Sequence, residues 1–187
     1  MPHVSMFLAN AYKPDPRVRR EAISLVEAGH SVRIYAWDRD CRYPESEESD
    51  GIKVERIEVR GAYGKFLPLL PGFLTFYLRL ILRSMKDGSD VIHCHDMDTL
   101  VPGVIVSRLT GRNLVYDMHE SYPDFISTFA PWILVGVLRF VEPFLIRRAG
   151  LVITTSSMIG DIARRAGAKK VVPVMNCFDP FPPPGER

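Results

Sequence analysis

The sequence has little cysteine, and what it has is badly spaced for cross-linking. Cys41, Cys94 and Cys177 are an odd number at wide intervals, which excludes a disulfide framework and supplies no C-x-x-C pair for metal or redox chemistry. A reducing, cytoplasmic setting is expected. Net charge is also scarce: 24 Lys plus Arg against 22 Asp plus Glu leave +2, too near balance for wholesale binding to nucleic acid. The start, Met1-Pro2-His3-Val4, has no basic segment leading into an apolar one and a small-residue cleavage site, so no signal peptide is expected.

Several catalytic signatures are missing too. The loop after the first apolar run, Asn10-Ala11-Tyr12-Lys13-Pro14-Asp15, contains no glycine, whereas a dinucleotide-binding turn uses G-x-G-x-x-G to let backbone approach a pyrophosphate. That disfavours a nicotinamide-dependent oxidoreductase, although Asp38 at the end of the second run could imitate a ribose-binding acid. There is no Walker motif and no G-x-S-x-G elbow, and Ser156-Ser157 has no recognisable base. His93-Cys94-His95-Asp96 resembles a metal cluster only in part, because no second ligand group is recognisable; no metal is expected.

What the sequence does have is enough apolar residue, 47% of 187, to bury one sizeable core. Strand-length apolar runs recur: Val4 to Ala9, Val32 to Trp37, Ile52 to Val59, Val91 to Cys94, Leu114 to Tyr116, Leu151 to Thr154 and Val171 to Val174. Helical patterns lie between them, so the fold class is α/β, a Rossmann-like doubly wound parallel sheet of about seven strands. Ile52 to Ile57 partly alternates and suits an edge strand, while the polar stretch from Asp38 to Gly51 reads as a solvated loop. The first helix is well marked: Asp15 can cap it, Pro16 suits its first position, Val18, Ala22, Leu25 and Val26 share one face, and Gly29 can stop it. One domain is expected over 1–176, followed by a Pro-rich linker over 177–187.

In such sheets ligands bind beyond the carboxyl ends of the strands. Asn10, Tyr12 and Lys13 follow the first strand, Asp96 the fourth, His119 and Glu120 the fifth, and Asn176 the last. Arg17, Arg19 and Arg20 sit in the first turn of the first helix, where the helix dipole makes cations unfavourable by about 0.3–1 kcal/mol each. Glu21, four residues after Arg17, offers an ordinary surface ion pair; an anion held by Arg17 and the helix N–H groups is the other reading. His119, between nearby acids, is placed to exchange a proton or hydrogen-bond a sugar hydroxyl.

Three segments, Asp15-Pro16-Arg17-Val18-Arg19-Arg20-Glu21-Ala22 with Gly29-His30, Tyr116-Asp117-Met118-His119-Glu120, and Ala149 to Ser156, resemble the amino-terminal domain of glycosyltransferase family 4. The resemblance runs from about Val4 to Asp179. It implies one half of a GT-B architecture, the acceptor side of a retaining enzyme of the hexosyltransferase type with no required metal or cofactor. It also implies a nucleotide-sugar donor, UDP- or GDP-linked, a glycan or lipid-linked acceptor, and a role in cell-envelope glycan synthesis. By the same resemblance His119 is the catalytic histidine reaching toward the transferred sugar, while Asn10, Tyr12, Lys13, Arg17, Asp96 and Glu120 border acceptor and phosphate. Asn176 marks the hinge to a carboxyl-terminal donor domain absent from this sequence, so the chain alone is expected to be inactive. Two departures are visible: Lys13-Pro14-Asp15 replaces the Gly-Gly pair many relatives carry in the first loop, and Cys177 stands where the hinge has glycine. A non-catalytic nucleotide- or sugar-binding module, or a subunit of a split enzyme, remains the alternative.

Two segments stand out: Phe66 to Met85, apolar nearly all round after Gly72 with Arg79, Arg83 and Lys86 at helical spacing, and Pro131 to Leu138, followed by Arg139 and Arg147-Arg148. Pro68, Pro71 and Arg79 interrupt the first too early for a spanning helix. Ordinary buried helices account for both; peripheral attachment at the inner face of a membrane is the second reading.

Overall fold

The computed structural model describes residues 1–13, 15–61, 66–128 and 130–175. The hinge at Asn176 and the linker over 177–187 lie outside the described residues. Along the chain run β1 (His3–Leu8), α1 (Pro16–Glu27), β2 (Ser31–Asp38), β3 (Ser46–Ser49), β4 (Ile52–Glu58), α2 (Phe66–Ser84) and β5 (Val91–His95). They are followed by α3 (Met97–Thr110), β6 (Asn113–Met118), α4 (Tyr122–Ile126), α5 (Trp132–Ile146), β7 (Leu151–Thr154), α6 (Ser157–Ala166) and β8 (Val171–Pro173). The strands form one sheet in the order β3-β4-β2-β1-β5-β6-β7-β8, with every pairing parallel except β3 on β4.

Strand alternation divides the core into two layers. On one face Val4, Met6, Leu8, Val32, Ile34 and Val54 pack under Val18 and Ala22 of α1. On the other, Phe7, Tyr35, Trp37, Ile92, Cys94 and Tyr116 meet Phe76 and Leu80 of α2, Leu100 and Val104 of α3, and Ile146 of α5. Helices on both faces explain why most strands read as near-continuous apolar runs. The cap of α1 forms as expected: the Asp15 side chain accepts from the Val18 N–H at 3.3 Å, Pro16 opens the helix, and Gly29 follows with φ +86°.

Two expectations change. The segment read as a solvated loop contains β3, and β4, read as an edge, is covered by it. The strand escapes notice because an edge strand with both faces near solvent needs no apolar residues. Arg56 of β4, fully buried, pins this region: Nε donates to the Ala11 carbonyl at 3.1 Å, and Nη1 to the Pro44 carbonyl at 3.0 Å and to Glu47 at 2.9 Å. The guanidinium thus ties β3 to the loop after β1.

The helix α3 lies unusually close to β5. A Cβ on Gly103 would stand 2.1 Å from Cys94 Sγ but 3.7 Å from Cys94 Cβ. Gly103→Ala is therefore expected to destabilise the chain by about 2 kcal/mol through overpacking. The double variant with Cys94→Ala removes the clashing sulfur and should recover most of that loss. Urea unfolding of both singles and the double checks this, and additive losses would show that the helix relaxes outward instead.

Candidate functional site

The strand order reverses between β1 and β5, which leave the sheet side by side while their following helices pass to opposite faces. Such a switch point opens a crevice at the carboxyl ends of the strands. Here it is a cavity of about 160 Å³ lined by Asn10, Asp15, His95, Asp96 and Asp98, among others.

The loop after β1 is closed on itself. Asn10 Oδ1 accepts from the Tyr12 N–H at 2.7 Å, its Nδ2 donates to Asp15 Oδ2 at 2.9 Å, and Tyr12 takes φ +63°. Asn10 and Tyr12 therefore shape the loop. Lys13 reaches away from the crevice to Glu47 on β3 at 2.7 Å. Arg17 Nε lies 3.5 Å from Asp15 Oδ1, and Glu21 turns instead toward His93 and His95, so the surface pair expected between Arg17 and Glu21 does not form.

At the ends of β5 and β6 three side chains form a chain. His95 and Asp117 are register partners on the two strands. The Asp117 carboxylate oxygen Oδ2 lies 3.2 Å from His95 Nδ1 and 2.7 Å from His119 Nε2. Burial would raise the Asp117 acid, but the two imidazoles outweigh it and hold the group well below the usual carboxylate range. Burial would likewise lower His119; the Asp117 carboxylate overcomes that and raises it, so the imidazolium is favoured. Thr155, after β7, donates to the His119 carbonyl at 3.1 Å and fixes its backbone.

Asp96 occupies a conformation disfavoured for any residue with a Cβ, φ +61° and ψ 164°, and its side chain makes no cap bond to α3. Backbone in such a region costs on the order of 1–3 kcal/mol and concentrates at functional sites. Burial raises the Asp96 acid, with His119 and Arg17 opposing. Burial and Asp96 raise Glu120, again opposed by His119 and Arg17. His119, Asp96, Glu120 and Arg17 thus share one electrostatic neighbourhood: carboxylates able to accept hydrogen bonds from hydroxyls, beside one guanidinium and one imidazolium.

Sequence reasoning missed how Asp117 links the two histidines, and it gave Asp98 no role of its own. The latter is raised by burial, is hydrogen-bonded by the Tyr122 hydroxyl, and lines the crevice. Asp38 serves its own loop: its buried carboxylate accepts the Arg42 and Tyr43 N–H groups through one oxygen, each at 2.9 Å. This weighs further against a dinucleotide site.

The fold is shared with solved glycosyltransferase structures. Sucrose-phosphate synthase from Thermosynechococcus elongatus superposes with TM-score 0.72 at 16% identity, over 94% of this chain and 48% of that one. Anabaena HepE, solved in complex with UDP and glucose, gives 0.62 at 19% identity over 96% and 45%. Acinetobacter baumannii MurG gives 0.53 at 14% over 95% and 47%. The chain spans about half the length of each of these proteins. No curated protein sequence matches it. The family described as "Glycosyl transferase 4-like domain" matches residues 14–177, most of the chain including α1 and the His95, Asp117 and His119 cluster, and this protein belongs to that family.

Proposed function

We propose that this chain is the acceptor-side half of a retaining glycosyltransferase that takes a UDP- or GDP-linked sugar and passes it to a glycan or lipid-linked acceptor. The observation carrying this reading is the arrangement at the switch point: His119 against Asp117, with Asp96, Glu120 and Arg17 around it. Carboxylates suit sugar hydroxyls, and the one guanidinium suits a diphosphate edge. HepE, of the same fold, is described with UDP-glucose bound, which supports a nucleotide sugar as donor. In this proposal the donor domain follows the Asn176 hinge, the donor phosphate helps deprotonate the acceptor, and His119 orients the sugar. Transfer of labelled sugar from UDP-glucose or GDP-mannose to a lipid extract by the complete protein tests the reading. Label transferred to lipid or glycan supports it, and no transfer from either donor class counts against it.

The lipid-linked acceptor is favoured by one surface. Leu74, Leu78 and Leu82 of α2 and Trp132, Val137 and Phe140 of α5 are exposed, Trp132 and Phe140 to 82%. Between the two helices lies a cavity of about 360 Å³ lined by Leu69, Phe73, Leu134 and Leu138, among others. Among the described residues no helix is long and apolar enough to cross a membrane. The basic row expected along α2 is partly used up, because Arg79 donates to the Glu58 carbonyl and Arg83 pairs with Glu45. Attachment at the cytoplasmic face of the membrane would therefore rest mainly on apolar contact, with Arg148 stacked over Phe144 beside it. The chain is expected to float with anionic vesicles at low salt, and Trp132→Ala with Phe140→Ala to reduce the bound fraction at least fivefold. Absence of flotation would remove the membrane reading while leaving the transferase reading intact.

A further inference from the structure

Beneath the crevice, on the α1 face of the sheet, lies a second cluster with a different chemistry. His93 and His95 of β5 point to the same side, as residues two apart on a strand must, and their rings stack with centroids 4.4 Å apart. Glu21 comes down from α1, with Oε2 4.0 Å from His93 Nε2 and 4.0 Å from His95 Nε2. One ligand atom from each of Glu21, His93, His95 and Asp117 falls within 4.8 Å of the others. Both histidines are more than nine-tenths buried, and Glu21 Oε2, His93 Nε2 and His95 Nε2 are all buried without a hydrogen-bond partner. Leaving three polar atoms so disposed is costly, and a carboxylate oxygen facing two imidazole nitrogens suits a cation between them.

We propose that Glu21, His93 and His95 form a binding site for one divalent transition-metal ion of the zinc type, with Asp117 as the group that orients His95. Two imidazole nitrogens and a carboxylate oxygen suit zinc, cobalt or nickel rather than calcium or magnesium. Ligands at about 2.0–2.1 Å from a tetrahedral ion stand roughly 3.3–3.4 Å apart. Closing the present 4.0 Å separations takes a rotation of the partly exposed Glu21 side chain, and the two stacked imidazoles must turn out of their parallel arrangement so that both Nε2 atoms converge on the ion. The Asp117 carboxylate, 3.2 Å from His95 Nδ1, favours the tautomer protonated there and leaves the Nε2 lone pair for the ion. A cavity of about 570 Å³, lined by Glu21 and His93 together with Arg17, Ser24 and His30, adjoins the cluster and gives an ion a way in. The site adjoins the crevice through His95 and Asp117, but the inference does not rest on the transferase reading.

The test uses the full chain stripped with a chelator and dialysed against zinc or cobalt chloride. One ion per chain and a cobalt spectrum with visible d–d absorption are expected. Glu21→Gln and His93→Gln should each weaken the affinity at least tenfold, while His30→Ala, in the same cavity but outside the cluster, leaves it unchanged. Circular dichroism monitors folding. If His93→Gln fails to fold, the half-buried helix position Glu21 and the wild-type cobalt spectrum still decide. No uptake by the wild type, or uptake that Glu21→Gln does not weaken, overturns the site; the gap then holds a water or a shared proton.

Discussion

Replacing His119 by alanine in the complete protein is expected to lower kcat by about 10²–10³-fold with a much smaller change in KM. That is the range seen when one preorganised polar group facing developing charge is removed, roughly 3–4 kcal/mol. The expectation follows from how much of the structure is devoted to placing this ring. Asp117 contacts it at 2.7 Å, His95 contacts the same carboxylate oxygen, and Thr155 bonds its carbonyl. Three elements, β5, β6 and the turn after β7, therefore converge on one imidazole. Asp117→Asn should reproduce part of the loss, because the amide no longer favours the charged ring, and the pH profile of kcat should shift toward lower pH as the His119 pKa falls from its raised position. If His119→Ala turns over at the wild-type rate, the imidazole is only a structural partner of Asp117 and the proposed role in transfer is wrong.

How much of this was legible in the sequence depends on whether the information is local. The cap of α1 was readable because Asp15, Pro16 and the Val18, Ala22 face are neighbours along the chain. The ends of strands could be located, and with them His119, Asp96 and Glu120. What could not be read is register. His95 meets Asp117 because β5 and β6 pair with those residues side by side, and no pattern within either segment sets that alignment. The same holds for Glu21, whose partner was sought one turn away at Arg17 but lies on the sheet below. Strand β3 was hidden for the opposite reason, since its pairing depends on β4 and on the buried Arg56 rather than on any apolar pattern of its own.

The apolar helix α5 carries a consequence for stability. Glu142 is 5% exposed, and its carboxylate accepts the Tyr122 N–H at 3.0 Å, which joins α5 to the start of α4. Burial raises its pKa to about 7, the hydrogen bond from Tyr122 only partly opposing. A carboxyl whose folded pKa stands above its unfolded value binds the proton more tightly in the folded state. Its favourable contribution is thus fully present below the unfolded value near 4.5 and is lost as pH rises through about 7. Glu142→Gln keeps an oxygen to accept from Tyr122 and removes the charge. The variant should be more stable than the wild type at pH 8.5 by an amount on the order of 3 kcal/mol, or roughly 6–12 °C in Tm, and the gap should shrink as pH falls below 7. Glu21, which burial raises to about 7, titrates in the same window, but it does so in both proteins, so the difference between the two curves isolates Glu142. Parallel curves from pH 5 to 8.5 would mean that the Glu142 carboxylate keeps its ordinary acidity, and that α5 moves to let water reach it.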